Sequence, residues 1–129
     1  MPPEAMAEAQ EWLNRAERDL RTSALLLRGP EVLPDESVFH AQQAAEKALK
    51  AYLASRDEPF AKTHDLPRLV KQCQTLDEEF AQLADAASVL NPYVSQFRYP
   101  GGPLEPEISV AETALEFAAG ILQFVRARL

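Results

Sequence analysis

The stretch Phe39-His40-Ala41-Gln42-Gln43-Ala44-Ala45-Glu46-Lys47-Ala48-Leu49-Lys50-Ala51 decides the fold. Its apolar positions return at helical spacing. Val38, Ala41, Ala45, Ala48 and Tyr52 form one stripe, with Leu49 beside it. Alanine dominates that stripe, and small side chains let a neighbouring helix come close. The spacing therefore predicts a central helix of a bundle, from about Glu36 to Arg56 with Asp35 as its N-cap. The opposite face carries His40, Gln43, Lys47 and Lys50 at steps of three, four and three, a polar ridge with hydrogen-bonding tips.

Working outward, the same period appears on both sides. Residues Glu4 to Arg28 carry Ala9, Leu13, Ala16, Leu20, Ala24 and Leu27 on one face. Gly29-Pro30 ends that helix by composition. Arg15, Arg18 and Glu11 face away, and Trp12 flanks the stripe. After a connector over Asp57 to His64, Asp65 caps a short helix ending near Gln74, with Pro67 in its first turn. Thr75 and Glu78 have capping-box spacing for a fourth helix carrying Leu76, Phe80, Leu83, Ala87 and Leu90 and ending before Pro92. Asn91 to Pro106 is irregular. Ser109 and Glu112 repeat the capping-box spacing, and the last helix places Ala114, Phe117, Ile121 and Val125 inward. Its last turn holds Arg126 and Arg128, where the helix dipole favours cations. No segment alternates over a strand's length. The expected fold is all-α: an antiparallel bundle of four long helices plus one short helix, in one domain over residues 1–129.

Composition narrows the function. The 129 residues are 47% hydrophobic, enough for a single core. No run of about twenty apolar residues suggests a membrane span, and the N-terminus has no signal-peptide pattern. One cysteine, Cys73, allows neither an internal disulfide nor a four-cysteine zinc cage, and a cytoplasmic location is expected. Net charge is −7, which argues against a general nucleic-acid coat protein. The charge is uneven: His40 to Gln72 is +2 and the rest −9, so the middle could hold a phosphate. With two histidines, a mononuclear histidine metal site is not expected. A di-metal bundle site needs Glu-x-x-His pairs, and Glu36 and His40 stand four apart, once. No metal or cofactor is assigned.

Two local features carry candidate chemistry. Lys62-Thr63-His64-Asp65-Leu66 places a histidine at a helix entrance, as an acid–base group, an anion contact or a loop-ordering hydrogen bond. Gln96-Phe97-Arg98-Tyr99-Pro100-Gly101-Gly102-Pro103 places Arg98 in a loop rich in proline and glycine. Arginine there suits bidentate phosphate recognition, with Tyr99 as a stacking face. Alternatively, Arg98 ties the loop to an acidic helix and Tyr99 fills the core edge.

Trp12-Leu13-x-x-Ala16-Glu17-x-Asp19-Leu20, the Phe39–Ala51 stretch, Lys62-Thr63-His64-Asp65-Leu66 and Arg98-Tyr99-Pro100 together resemble, in order and spacing, the HEPN family of prokaryotic helical-bundle proteins. The resemblance covers nearly the whole chain. It implies a four-to-five-helix bundle that forms a homodimer and pairs with an MNT-type nucleotidyltransferase as toxin and antitoxin. It also implies metal-independent endoribonuclease activity in many members. Their motif is an arginine, four to six intervening residues, and then a histidine, placed in a dimer cleft. Arg98 matches the arginine. Pro103, Leu104 and Glu105 stand where the histidine would be, and no histidine follows Arg98. Cleavage needs a base for the 2′-hydroxyl and an acid for the leaving oxygen. The catalytic candidates are Arg98 and His64, with Glu105 as another base. The candidates for holding a nucleotide or RNA phosphate are Arg98, Tyr99, Lys47, Lys50 and His64. The alternative for Glu46 and Lys50 is a surface i, i+4 ion pair, and the alternative for the protein is a non-catalytic module that homodimerises and docks the nucleotidyltransferase.

Overall fold

The computed structural model describes residues 2–129, all of them in helices, turns and loops. Helix α1 spans Pro3–Arg28, α2 Pro34–Ser55, α3 Leu66–Gln74, α4 Ala84–Leu90 and α5 Ile108–Arg126. Short 3₁₀ turns at Glu78–Leu83 and Asn91–Val94 flank α4. The all-α bundle expected from periodicity is the fold observed.

Side-chain pairs give the topology. Buried Ser23 and Ser37 each donate to the other's carbonyl at 2.9 Å, while Lys50 Nζ, far along α2, lies 5.5 Å from the Trp12 ring near the start of α1. Helices α1 and α2 are therefore antiparallel. Arg126 pairs with Glu17, and Arg56 Nη2 donates to the Arg128 carbonyl at 3.2 Å, so α5 runs against α1 and alongside α2. Helix α2 is enclosed. From Ala44 to Ser55 every residue except Lys47 is buried, as the alanine stripe predicts for a central helix. Its first helical residue is Pro34, and Leu33 stands at the N-cap without a side-chain hydrogen bond, so Asp35 acts in the first turn rather than as the cap.

Asp65 caps α3 as expected, accepting from the Arg68 backbone N–H at 3.2 Å. The fourth helix differs from expectation. Thr75 closes α3, its hydroxyl donating to the Gln72 carbonyl, and Asp77 caps the next segment by accepting from Glu79 N–H at 3.0 Å. That segment is first a 3₁₀ turn and only then α4. A three-residue repeat puts Phe80 and Leu83 on one side, and both are buried. Packing at the core sets the local winding. Ser109 likewise lies inside the first turn of α5 rather than capping it; Glu107 precedes the helix with no side-chain cap.

Helix α5 is long and apolar enough by composition to cross a membrane. In the bundle, Ala111, Ala114, Leu115, Ala118, Ile121, Leu122 and Val125 are buried, so its apolar face belongs to the core. Cys73 is also in the core, and burial pushes its thiol up to about 12. The thiolate is the reactive form. Iodoacetamide at pH 8 should therefore leave Cys73 unmodified in the native protein and label it fully in denaturant; mass spectrometry reads both. Fast native labelling would contradict this packing.

Candidate functional site

The polar ridge of α2 is a partly covered seam. On one flank, Asp19 of α1 receives two partners. Its Oδ1 lies 2.9 Å from His40 Nδ1, and Lys47 Nζ donates to its Oδ2 at 2.6 Å. Burial alone would raise the Asp19 carboxyl, but the hydrogen bonds and charges of His40 and Lys47 outweigh it and hold the carboxyl below its ordinary value. Asp19 is thus an ionised carboxylate at a helix–helix contact, held there by two partners on α2.

The other flank repeats the arrangement. Glu46 Oε2 accepts from Lys50 Nζ at 2.9 Å, and Glu46 Oε1 lies 2.8 Å from His64 Nδ1. Gln42 donates to the His64 carbonyl at 3.0 Å, and Gln43 donates to Gln42 at 2.8 Å. The Glu46–Lys50 pair is not the surface pair considered from spacing: the side chains are 4% and 7% exposed. Trp12 and Phe60 cover Lys50, their rings meeting edge to face at 5.9 Å and lying 5.5 and 5.8 Å from its Nζ. With its charge enclosed in this way, Lys50 serves the Glu46 pair. Lys47 is more open but committed to Asp19.

Arg98 comes from the irregular segment. Phe97 is half-buried against the core with φ at 70°, and Gly101 has φ at 88°. The left-handed backbone costs a non-glycine residue about 1–2 kcal/mol, and packing of Phe97 beside Tyr93, centroids 6.3 Å apart, holds it. The turn sends Arg98 back to the start of α2. Its Nη1 donates to Glu36 Oε1 at 3.1 Å, and its Cζ sits 3.9 Å from the Phe39 ring centroid. Arg98 thus ties the loop to an acidic helix and keeps part of its guanidinium open. Tyr99, 72% exposed, does not fill the core edge.

The structure groups the sequence candidates in two places. Arg98 and Tyr99 lie at the N-terminal end of α2. His64 and Lys50 meet at Glu46. Glu36 and Glu46 are ten residues apart, roughly 15 Å along a helix, so within one chain His64 does not join Arg98. The residues sequence reading missed are His40, Asp19 and Phe39. Phe39 joins them to Arg98, its ring standing 5.3 Å from the His40 imidazole at 82°. The signal was present: His40 heads the polar ridge, and Asp19 stands beside the apolar stripe of α1.

The HEPN domain family model matches residues 9–128. The chain belongs to the HEPN domain family. This family is associated with nucleotides and RNA. The crystal structure of TT1696 from Thermus thermophilus is similar to this HEPN chain, with 32% identity and a TM-score of 0.77 over 95% of this chain and 98% of that one. ST0689, an archaeal HEPN homologue, is 24% identical with a TM-score of 0.74, over 94% and 97% of the two chains, and supports the shared fold. No curated protein matches the chain.

Proposed function

We propose that this HEPN chain is the cytoplasmic component of a two-gene toxin–antitoxin-type module. In this reading it homodimerises, pairs with an MNT-type nucleotidyltransferase, and takes a nucleotide or RNA phosphate in the dimer cleft around Arg98. One observation carries the reading: Arg98 is stacked on Phe39, countered by a single part-exposed carboxylate, Glu36, and followed by an open Tyr99 ring. A planar fork held over a ring is preorganised for phosphate. An incoming phosphate would displace Glu36 and gain two charge-assisted hydrogen bonds, while Tyr99 offers a face for a base.

The test is fluorescence polarisation with a labelled oligoribonucleotide and with a purine nucleotide. Arg98→Ala should weaken binding by about tenfold or more, as loss of a bidentate phosphate contact does, while light scattering finds a dimer at micromolar concentration. Equal affinity in wild type and variant would refute the assignment to Arg98. A second reading, the non-catalytic module that docks the nucleotidyltransferase, is favoured by Leu104, Ile108 and Val110, exposed apolar side chains that follow Tyr99 in the sequence. Its mark is a partner complex unaffected by Arg98→Ala.

A further inference from the structure

An arginine can steady a phosphoryl group but cannot readily exchange a proton, so cleavage at Arg98 would need a base close by. No histidine follows Arg98 in the chain, and Glu105 is exposed on its loop. His40 is the histidine that shares a contact with Arg98. Its imidazole and the Arg98 guanidinium contact the same Phe39 ring, at 5.3 Å and 3.9 Å. Asp19 holds its Nδ1 at 2.9 Å, and Lys47 holds the other oxygen of that carboxylate at 2.6 Å. An ionised carboxylate on Nδ1 selects the tautomer with the proton there and leaves the Nε2 lone pair as an acceptor. The imidazole is 27% exposed, open enough to meet a substrate and covered enough to stay oriented. His64 has a similar carboxylate partner but meets α2 at Glu46, ten residues beyond Glu36, and is 66% exposed.

We propose that His40, oriented by Asp19, is the residue that exchanges protons with RNA bound at Arg98, and so makes this chain a metal-independent ribonuclease; this rests on the RNA binding proposed above. His40 Nε2 takes the proton of the 2′-hydroxyl. The 2′-oxygen forms a bond to phosphorus as the bond from phosphorus to the 5′-oxygen breaks. Arg98 balances the charge on the phosphoryl oxygens. The imidazolium then returns its proton to the departing 5′-oxygen. The products are a 2′,3′-cyclic phosphate and a 5′-hydroxyl, with no water consumed and no electron transferred. The charged groups facing His40 are Asp19 from α1, Lys47 from α2, and Arg98 with Glu36 across Phe39. Asp19 is a positioning residue in this scheme.

The experiment uses the full chain with EDTA, a labelled oligoribonucleotide and its all-deoxy counterpart. Binding is read by polarisation, cleavage by gel with identification of the product ends, and folding by circular dichroism. Wild type should cut RNA to cyclic-phosphate ends and leave DNA intact. His40→Gln should bind with unchanged affinity and cut roughly a hundredfold more slowly or worse, the contribution expected of a general base. Added imidazole should restore cleavage to His40→Ala, and a correctly folded Asp19→Asn should bind but cut slowly. Four results overturn the proposal: RNA bound by wild type but not cut, wild-type cleavage by His40→Gln, cleavage that tracks His64→Gln instead, or no rescue of a folded His40→Ala. Failure of wild type to bind RNA at all is a different outcome; it removes the Arg98 reading, and this proposal with it.

Discussion

Glu46→Ala should destabilise the fold by about 3–5 kcal/mol, the range for removing one partner of a buried ion pair. The Glu46 carboxylate is 4% exposed and serves Lys50, His64 and Gln43 together. Its removal leaves the Lys50 ammonium beside the Trp12 and Phe60 rings without the carboxylate it pairs with. The rings offer a cation about 0.5–2 kcal/mol, well short of what an unpaired buried charge costs. The same change releases the imidazole of His64, which Glu46 holds at 2.8 Å just before α3. Urea denaturation should therefore show a large fall in midpoint. Replacing both Glu46 and Lys50 with methionine should recover most of the loss, because the penalty comes from the orphaned charge. A loss under about 1 kcal/mol in Glu46→Ala would mean that the pair behaves as an exposed one.

That pair also marks where sequence reading reaches its limit. Helices α1, α2 and α3 were legible because their signals are local: the period of Ala9 to Leu27, the alanine stripe of α2, and Asp65 before Pro67. Capping boxes read less well. Thr75 and Ser109 have the right spacing, yet each lies inside or at the end of a helix whose bounds tertiary packing sets. The polar ridge was legible as a ridge but not as a buried seam. A glutamate and a lysine four apart read the same on a solvated face as under Trp12 and Phe60, because the covering residues come from other segments. For the same reason Asp19 and His40, twenty-one residues apart, could not be paired from sequence. Arg98 was found because a loop arginine is conspicuous. Its seat on Phe39 depends on the left-handed backbone of Phe97, which no residue type announces.

Phe80→Ala should cost about 3–5 kcal/mol, the range for large aromatic truncations in a core. Phe80 is fully buried although it sits on a 3₁₀ turn, the least regular helical segment near the core. Its ring tilts against Tyr52 at 4.4 Å and meets Phe124 edge to face at 5.0 Å. It thereby joins α2 and α5 to a segment whose own backbone has poor helical geometry. Arg128 fastens the same region from the chain's end, reaching Asp77 at 3.2 Å and also Glu79, with its Cζ 3.5 Å from the Phe124 ring. These carboxylates are part-exposed, so Arg128→Ala should cost much less, about 1 kcal/mol or under. The contrast between the two variants in one denaturation series is the test. If the aromatic contact sets the winding, Phe80→Ala should also raise hydrogen exchange across Glu78–Leu90 while leaving α1 protected. Equal small losses in both variants would show that the 3₁₀ turn is held by its local caps, with Asp77 rather than Phe80 fixing where α4 begins.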